Sequence, residues 1–231
     1  MLALDHLTLA VGDFRLAAHL TVKDPGVTAI IGASGSGKST LLAAIAGFLV
    51  PQSGSILWNG EDLLPLAPGQ RPLTMLFQDQ NLFPHLSAAR NVALGLSPSL
   101  RLTAADWARV DQALLRTGLA GLGARLPSEL SGGQQARVAL ARMLLRARPL
   151  LLLDEAFAGL GPALKAEMLD LVVALATETR AMVLMVSHDP DDALRIAPRT
   201  ILVADGMAHP PVATTDLLAN PPPSLRRYLG K

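Results

Sequence analysis

Nine consecutive residues, Gly32-Ala33-Ser34-Gly35-Ser36-Gly37-Lys38-Ser39-Thr40, have the composition and spacing to hold phosphate. They fit Gly-x-x-x-x-Gly-Lys-Ser, in which glycines let backbone N–H groups turn toward an anion and the lysine adds a point charge. Lys38 is placed to reach β- and γ-phosphates, and the Ser39 hydroxyl to ligate Mg²⁺. A second group is Asp154-Glu155 after Leu150-Leu151-Leu152-Leu153. Four leucines predict a buried central strand, whose C-terminal end is where open α/β sheets collect ligands. There Asp154 suits Mg²⁺ and Glu155 suits taking a proton from attacking water, whereas taken alone the pair reads as an acidic helix start. A third is Leu130-Ser131-Gly132-Gly133-Gln134, a hydroxyl and two glycines at the start of a basic helix carrying Arg137, Arg142 and Arg146. That pattern suits an anion nest, and equally an ordinary capped helix.

The elements around these groups have the right character to position them. Val27–Ile31 is a short apolar, β-branched run ahead of the glycines, and Leu41, Leu42, Ile45, Ala46 and Leu49 recur at helical spacing behind them. Residues 2–9 and 14–22 read as two strands around Gly12-Asp13, 55–58 and 73–77 as further strands, and 61–70 as a loop. Between about 84 and 148 helical patterns dominate: 87–94, 103–117 and 131–146, with Thr103 and Asp106 forming a helix start. Strand and helix then alternate over 150–153, 164–178, 182–186, 190–196 and 200–204. The α/β alternation predicts a mostly parallel sheet core with antiparallel N-terminal strands and an inserted helical subdomain. One domain is expected, its core about 1–83 and 149–220, its helical part about 84–148, and 221–231 a loose tail behind Pro221-Pro222-Pro223.

Composition narrows the function classes. Half of the 231 residues are hydrophobic and 17% are charged, enough apolar surface for a sizeable core. Net charge is +1, which does not favour nucleic acid as the main partner. With no cysteine, disulfide scaffolds and thiolate metal sites are excluded. No basic segment followed by an apolar one opens the chain, and the most apolar stretch, 171–186, is interrupted by Glu178 and Arg180.

The three motifs, in this order and spacing, resemble the ATP-binding subunit of an ABC transporter, from Met1 to about residue 220. Two more elements fit. Phe77-Gln78 after a strand resembles the loop whose glutamine senses Mg²⁺ and the γ-phosphate, and Ser187-His188-Asp189 the loop whose histidine contacts the γ-phosphate. The resemblance implies an ABC-type P-loop ATPase using ATP and Mg²⁺, with Glu155, His188 and Gln78 catalytic and Ser39, Gln78 and Asp154 at the metal. It implies nucleotide binding by Gly32, Ser34, Gly35, Ser36, Gly37, Lys38, Ser39 and Thr40. Ser131, Gly132, Gly133 and Gln134 are then used by a second copy in a head-to-tail dimer. The implied partners are membrane permease subunits, with a periplasmic binding protein indirectly, and the implied location is the cytoplasmic face of the cell membrane. Phe77 to Arg90, with apolar Leu82, Phe83 and Leu86, is the expected surface for a permease helix.

Within that family, Arg71–Gln78, Asn81–Ser87 and Asn91–Pro98 resemble the ATP-binding subunits of bacterial thiamine importers, while importers of iron, molybdate and polyamines share much of the pattern. Other readings are an ABC-type ATPase working on nucleic acid, which usually adds insertions absent here, and a degenerate regulatory module. The chain departs from the family at three places: Ala156 where proline is usual, Gly161 where aspartate is usual, and Val11, with Phe14 the nearest aromatic, where an aromatic usually stacks on adenine.

Overall fold

The computed structural model describes residues 1–79 and 81–229. Its central strands are apolar on both faces because both faces are covered. In β7 (Leu150–Asp154), Leu150 and Leu152 enter one core, and Leu151 and Leu153 enter another. In β8 (Met182–Val186), Met182, Leu184 and Val186 divide from Val183 and Met185 in the same way. This two-residue alternation turns a continuous apolar run into a partition between two layers. β3 (Gly26–Ile31), β6 (Leu73–Leu76) and β9 (Arg199–Ala204) complete a parallel set in which β3 pairs with β8 and β9, and β7 with β6 and β8.

An antiparallel wing joins it. β1 (Leu2–Val11) pairs with β2 (Phe14–Val22) and with β4 (Ser53–Trp58), and β5 (Glu61–Asp62) pairs with β4. β10 (Met207–Ala208) runs parallel to β2 and antiparallel to β9, welding wing to core. β11 (Val212–Ala213) adds to β9. Among the described residues the strand order is β5-β4-β1-β2-β10-β9-β3-β8-β7-β6. Helix α1 (Lys38–Ala46) lies in the first core, with Leu41, Leu42 and Ile45 fully buried. Buried Arg71 closes its end by donating to the carbonyls of Ala44 and Ile45, both at 2.8 Å. These are among the carbonyls a helix C-terminus leaves without partners.

α2 (Ala88–Ala93), α3 (Ala104–Arg116) and α4 (Gly132–Arg146) share a third core. α4 divides its faces: Val138 and Ala141 pack there, while Ala136, Ala139, Leu140 and Met143 pack on the second core beside the sheet. The N-cap of α3 is Thr103, in a reciprocal capping box with Asp106. α5 (Pro162–Thr179), α6 (Pro190–Ile196) and α7 (Thr214–Ala219) cover the second layer.

Several local expectations change. The loop over 61–70 contains β5 and a 3-10 turn at Pro68–Gln70. The strand from Leu73 stops at Leu76, leaving Phe77 outside it. The largest change is at the tail: α8 (Pro223–Leu229) is a helix whose Leu225 is buried in the second core, so the described part of 221–231 is not loose. Proline is tolerated in the first turn of a helix, where its missing N–H has no partner to lose. No described helix is long and apolar enough to cross a membrane.

Candidate functional site

The glycine loop leaves β3 and enters α1 as its composition requires. Gly32 has φ 155°, and a Cβ there would lie 2.1 Å from the Val203 carbonyl oxygen. Gly37, φ 102°, is the N-cap of α1 and brings no capping side chain; a Cβ on it would strike the Phe14 ring at 2.6 Å. The first turn of α1 therefore presents N–H groups without a side-chain cap, at the positive end of the helix dipole. Lys38 is 5% exposed and folds its Nζ back onto the carbonyls of Gly32 and Ala33, 2.9 Å from each. Burial lowers the pKa of this ammonium, and the nearby Glu155 and Asp154 charges oppose the shift. Ser36 Oγ is buried without a hydrogen-bond partner. An orphaned hydroxyl, a bent-back lysine and uncapped N–H groups suit a polyanionic ligand. Gly37 and Lys38 border a cavity of about 300 Å³ that also touches Ser34, Gly35, Ser39, Thr40, Val11, Phe14 and Glu155.

At the end of β7, Ser39 Oγ donates to Asp154 Oδ1 at 2.9 Å. Burial raises the Asp154 carboxyl above the ordinary range; the Ser39 hydrogen bond opposes this, Glu155 adds to it, and Lys38 opposes it. A carboxylate and a hydroxyl in contact, the carboxylate destabilised by burial, form an oxygen donor set suited to a hard cation such as Mg²⁺. Glu155 turns away from the strand at φ 48°, a conformation uncommon for a non-glycine residue. Its carboxylate stands 3.7 Å from His188 Nδ1. Gln78, Ser39, Asp154 and Glu155 line a second cavity of about 680 Å³. Glu155 is thus a shared wall of the glycine-loop and Gln78 cavities and faces the histidine.

His188 is held by a network in the loop after β8. Ser187 Oγ donates to Asp192, and the Asp189 N–H donates to Ser187 Oγ at 3.1 Å. Lys165 bridges Asp189 at 2.9 Å and Asp192 at 2.7 Å, and its hydrogen bond holds the Asp189 carboxyl below the ordinary range. From α8, the Tyr228 hydroxyl donates to the His188 carbonyl. Tyr228 escapes a reading of the sequence, because its helix starts at the last of three consecutive prolines and its contact is 40 residues away.

Ser131, Gly132, Gly133 and Gln134 sit elsewhere. Ser131 caps α4 by accepting from the Gln134 N–H, and Gln134 Oε1 accepts from the Ser131 N–H at 3.0 Å. A Cβ at Gly133 would meet the Leu164 side chain at 2.1 Å, so only glycine lets α4 and α5 approach this closely. None of the four residues lines the two cavities described above. The chain thus brings together 32–40, Gln78, Asp154, Glu155 and His188, and leaves 131–134 apart.

Of the departures, Ala156 is buried (4% exposed), Val11 and Phe14 border the glycine-loop cavity, and Gly161 is the uncapped N-cap of α5. The apolar surface after β6 divides. Phe83 is 47% exposed, whereas Leu82 is partly buried against both the second and third cores, and Leu86 is half-buried. Fully buried Asn91 pins this loop, donating to the carbonyls of Phe83, Leu86 and Ser87 and accepting from the Phe83 N–H. Phe83 borders a groove of about 800 Å³ with Phe77, Phe48, Leu94, Pro98 and Arg146.

Comparison with known proteins agrees with this geometry. The model of the family described as ABC transporter matches residues 17–158. The thiamine import ATP-binding protein ThiQ of Cereibacter sphaeroides is 64% identical over 230 residues, covering 100% of both chains. Its counterpart of the same name from Ruegeria sp. is 55% identical, again over 100% of both. A solved dimeric structure of a post-hydrolysis state of the ATP-binding cassette MJ0796, bound to ADP and Pi, is 28% identical with TM-score 0.80, covering 93% of this chain and 99% of that one. From the glycine loop through Asp154 and Glu155, the site lies within the matched family region, and the chain belongs to the ABC transporter family.

Proposed function

We propose that this chain is the ATP-hydrolysing subunit of an importer of thiamine or its phosphates, acting at the cytoplasmic face of the cell membrane beneath a permease. One observation carries the chemistry: Glu155 borders both the glycine-loop cavity and the cavity of Gln78 and Asp154, 3.7 Å from His188. The cargo rests on the 64% identity to a thiamine import ATP-binding protein over the whole chain.

In this reading the phosphates of ATP replace the carbonyls of Gly32 and Ala33 as partners of Lys38, and the uncapped N–H groups of α1 and Ser36 Oγ complete the cradle. Ser39 and Asp154, with Gln78, would hold Mg²⁺, which would supply charge neutralisation to the phosphates. Glu155 accepts the proton of the attacking water, and His188 orients against the γ-phosphate. Lys38 is 5% exposed, so little water competes with a phosphate for its ammonium, and the charge interaction is less screened than at the surface.

Ser131 to Gln134 find their use in a second copy. Ser131 and Gly132 are exposed at the start of a helix 15 residues long, away from their own chain's glycine loop. The similar cassette MJ0796 is dimeric in its ADP- and Pi-bound structure. Head-to-tail pairing brings one copy's 131–134 to ATP on the other's loop, so ATP favours the closed pair by contacting both. The groove at Phe48, Phe77 and Phe83 is the surface for a permease helix. The test is nucleotide affinity with and without Lys38→Ala: loss of roughly 10²-fold or more in ATP affinity is expected, and equal affinity contradicts the assignment.

A further inference from the structure

The Asp5-His6 segment of β1 lies far in sequence from every motif above and has no part in the ATP site. β1 buries Leu2 and Leu4 and then Leu7 and Leu9, so its inward set switches from even to odd residues. The switch is a bulge: Leu4 pairs with Leu20 and Leu7 with Ala18, leaving Asp5 and His6 opposite the single residue His19. An extra residue in one strand turns two successive side chains toward one side of the sheet. Here they meet His19 on the solvent face. His6 takes φ 45°, and the bulged backbone presses on Gly54, where a Cβ would lie 2.4 Å from the His6 carbonyl oxygen.

The convergence has ligand geometry. Asp5 Oδ1 is 3.2 Å from His19 Nδ1 and 3.7 Å from His6 Nε2, and one ligand atom from each of the three residues lies within 4.8 Å of the others. Ligand atoms about 2.1 Å from a tetrahedral ion lie roughly 3.4 Å from one another. The two imidazole rings stack at 4.3 Å with an 18° tilt, and one ring must turn out of the stack, by a rotamer change open to an exposed side chain, to aim both nitrogens at one ion. His19 Nδ1 faces Asp5 Oδ1 at 3.2 Å and accepts a long 3.4 Å contact from the His6 N–H, so no short hydrogen bond commits it. Two imidazoles and one carboxylate suit a borderline divalent ion with a water in the fourth position, and suit Mg²⁺ poorly.

We propose that Asp5, His6 and His19 form a surface zinc site, distinct from the Mg²⁺ of the ATP site, that clips β1 to β2 across the bulge. Zinc is titrated calorimetrically into the full chain, purified without a histidine tag, in excess Mg²⁺ so that the carboxylates of the ATP site are not the sink. One equivalent is expected. His6→Asn, chosen because asparagine tolerates positive φ, and His19→Gln should each weaken binding by at least about tenfold, while His85→Ala leaves it unchanged. Zinc should also raise the melting temperature of the wild type and not of the double variant. Asp5→Asn serves as the alternative if either histidine variant fails a circular dichroism check of folding. Binding well below one equivalent, or affinity unchanged in folded variants at these positions, overturns the proposal.

Discussion

Asp154 is held in an environment that opposes its own charge, an opposition that a bound cation would relieve. Burial raises its carboxyl above the ordinary range. A carboxyl whose folded pKa is raised destabilises the fold at neutral pH, where it is ionised. Below the ordinary carboxylate range it is protonated in both folded and unfolded chains, and the penalty vanishes. Asp154→Asn keeps an oxygen to accept from Ser39 and removes the charge. The expected outcome is a higher melting temperature of the nucleotide-free chain at pH 7.5, a gain that disappears near pH 3.5, together with loss of Mg²⁺-dependent nucleotide binding. Scanning calorimetry at both pH values checks it; a lower melting temperature at pH 7.5 would show that the ionised carboxylate is a net stabiliser. In the proposed metal-holding role, this cost to the nucleotide-free fold would be offset once a cation binds. Lys38 is the companion case, its ammonium disfavoured by burial and satisfied meanwhile by two carbonyls of its own loop.

At the scale of elements, helix ends set most of the site. α1 is left uncapped at Gly37, and α4 is fully capped by Ser131 and Gln134. α5 is uncapped at Gly161, in an extended conformation (φ −63°, ψ 156°) open to any residue, with nothing within 4 Å of a Cβ built there. Gly161→Asp should therefore add a cap worth a few tenths of a kcal/mol, and should raise ATP turnover in the assembled transporter by placing a carboxylate where the family usually has one. Calorimetry and a phosphate-release assay read the two effects separately. A stabilised fold with unchanged turnover would mean that the loop positions water by another route. The last helix makes a different contribution: Tyr228 reaches the carbonyl of His188. Tyr228→Phe removes one hydrogen bond, about 1 kcal/mol, so kcat should fall about fivefold with KM unchanged. An unchanged kcat would make α8 structural only.

The whole molecule was legible in the sequence to different depths for physical reasons. The glycine loop is local: strand, turn residues, lysine and helix follow one another within about 20 residues, and each demands the next. The central strands are legible because burial on both faces leaves only apolar residues in them, as in Leu150–Leu153. The wing and tail were less so. β5, β10 and β11 are two residues each, held by partners and not by any pattern of their own. Pro221-Pro222-Pro223 reads as a break, yet Pro223 opens a helix because tertiary burial of Leu225 outweighs weak propensity. The nearness of Gln78 to Asp154, and of Glu155 to His188, follows from the strand order β3-β8-β7-β6 and not from any spacing in the chain. Leu82 turned inward while Phe83 stayed out, a difference set by Asn91 eight residues on.

In the proposed function Glu155 takes the proton of the water that attacks ATP, and this hydrolysis drives thiamine inward. The most direct measurement is ATP-dependent uptake of labelled thiamine into vesicles holding the permease, its binding protein and this chain, wild type against Glu155→Gln, with ATP binding and phosphate release followed in parallel. The predicted result is uptake with the wild type, and with the variant retained ATP binding but phosphate release and uptake both lowered at least about 10²-fold. Wild-type rates of phosphate release and thiamine uptake in the folded variant would contradict it.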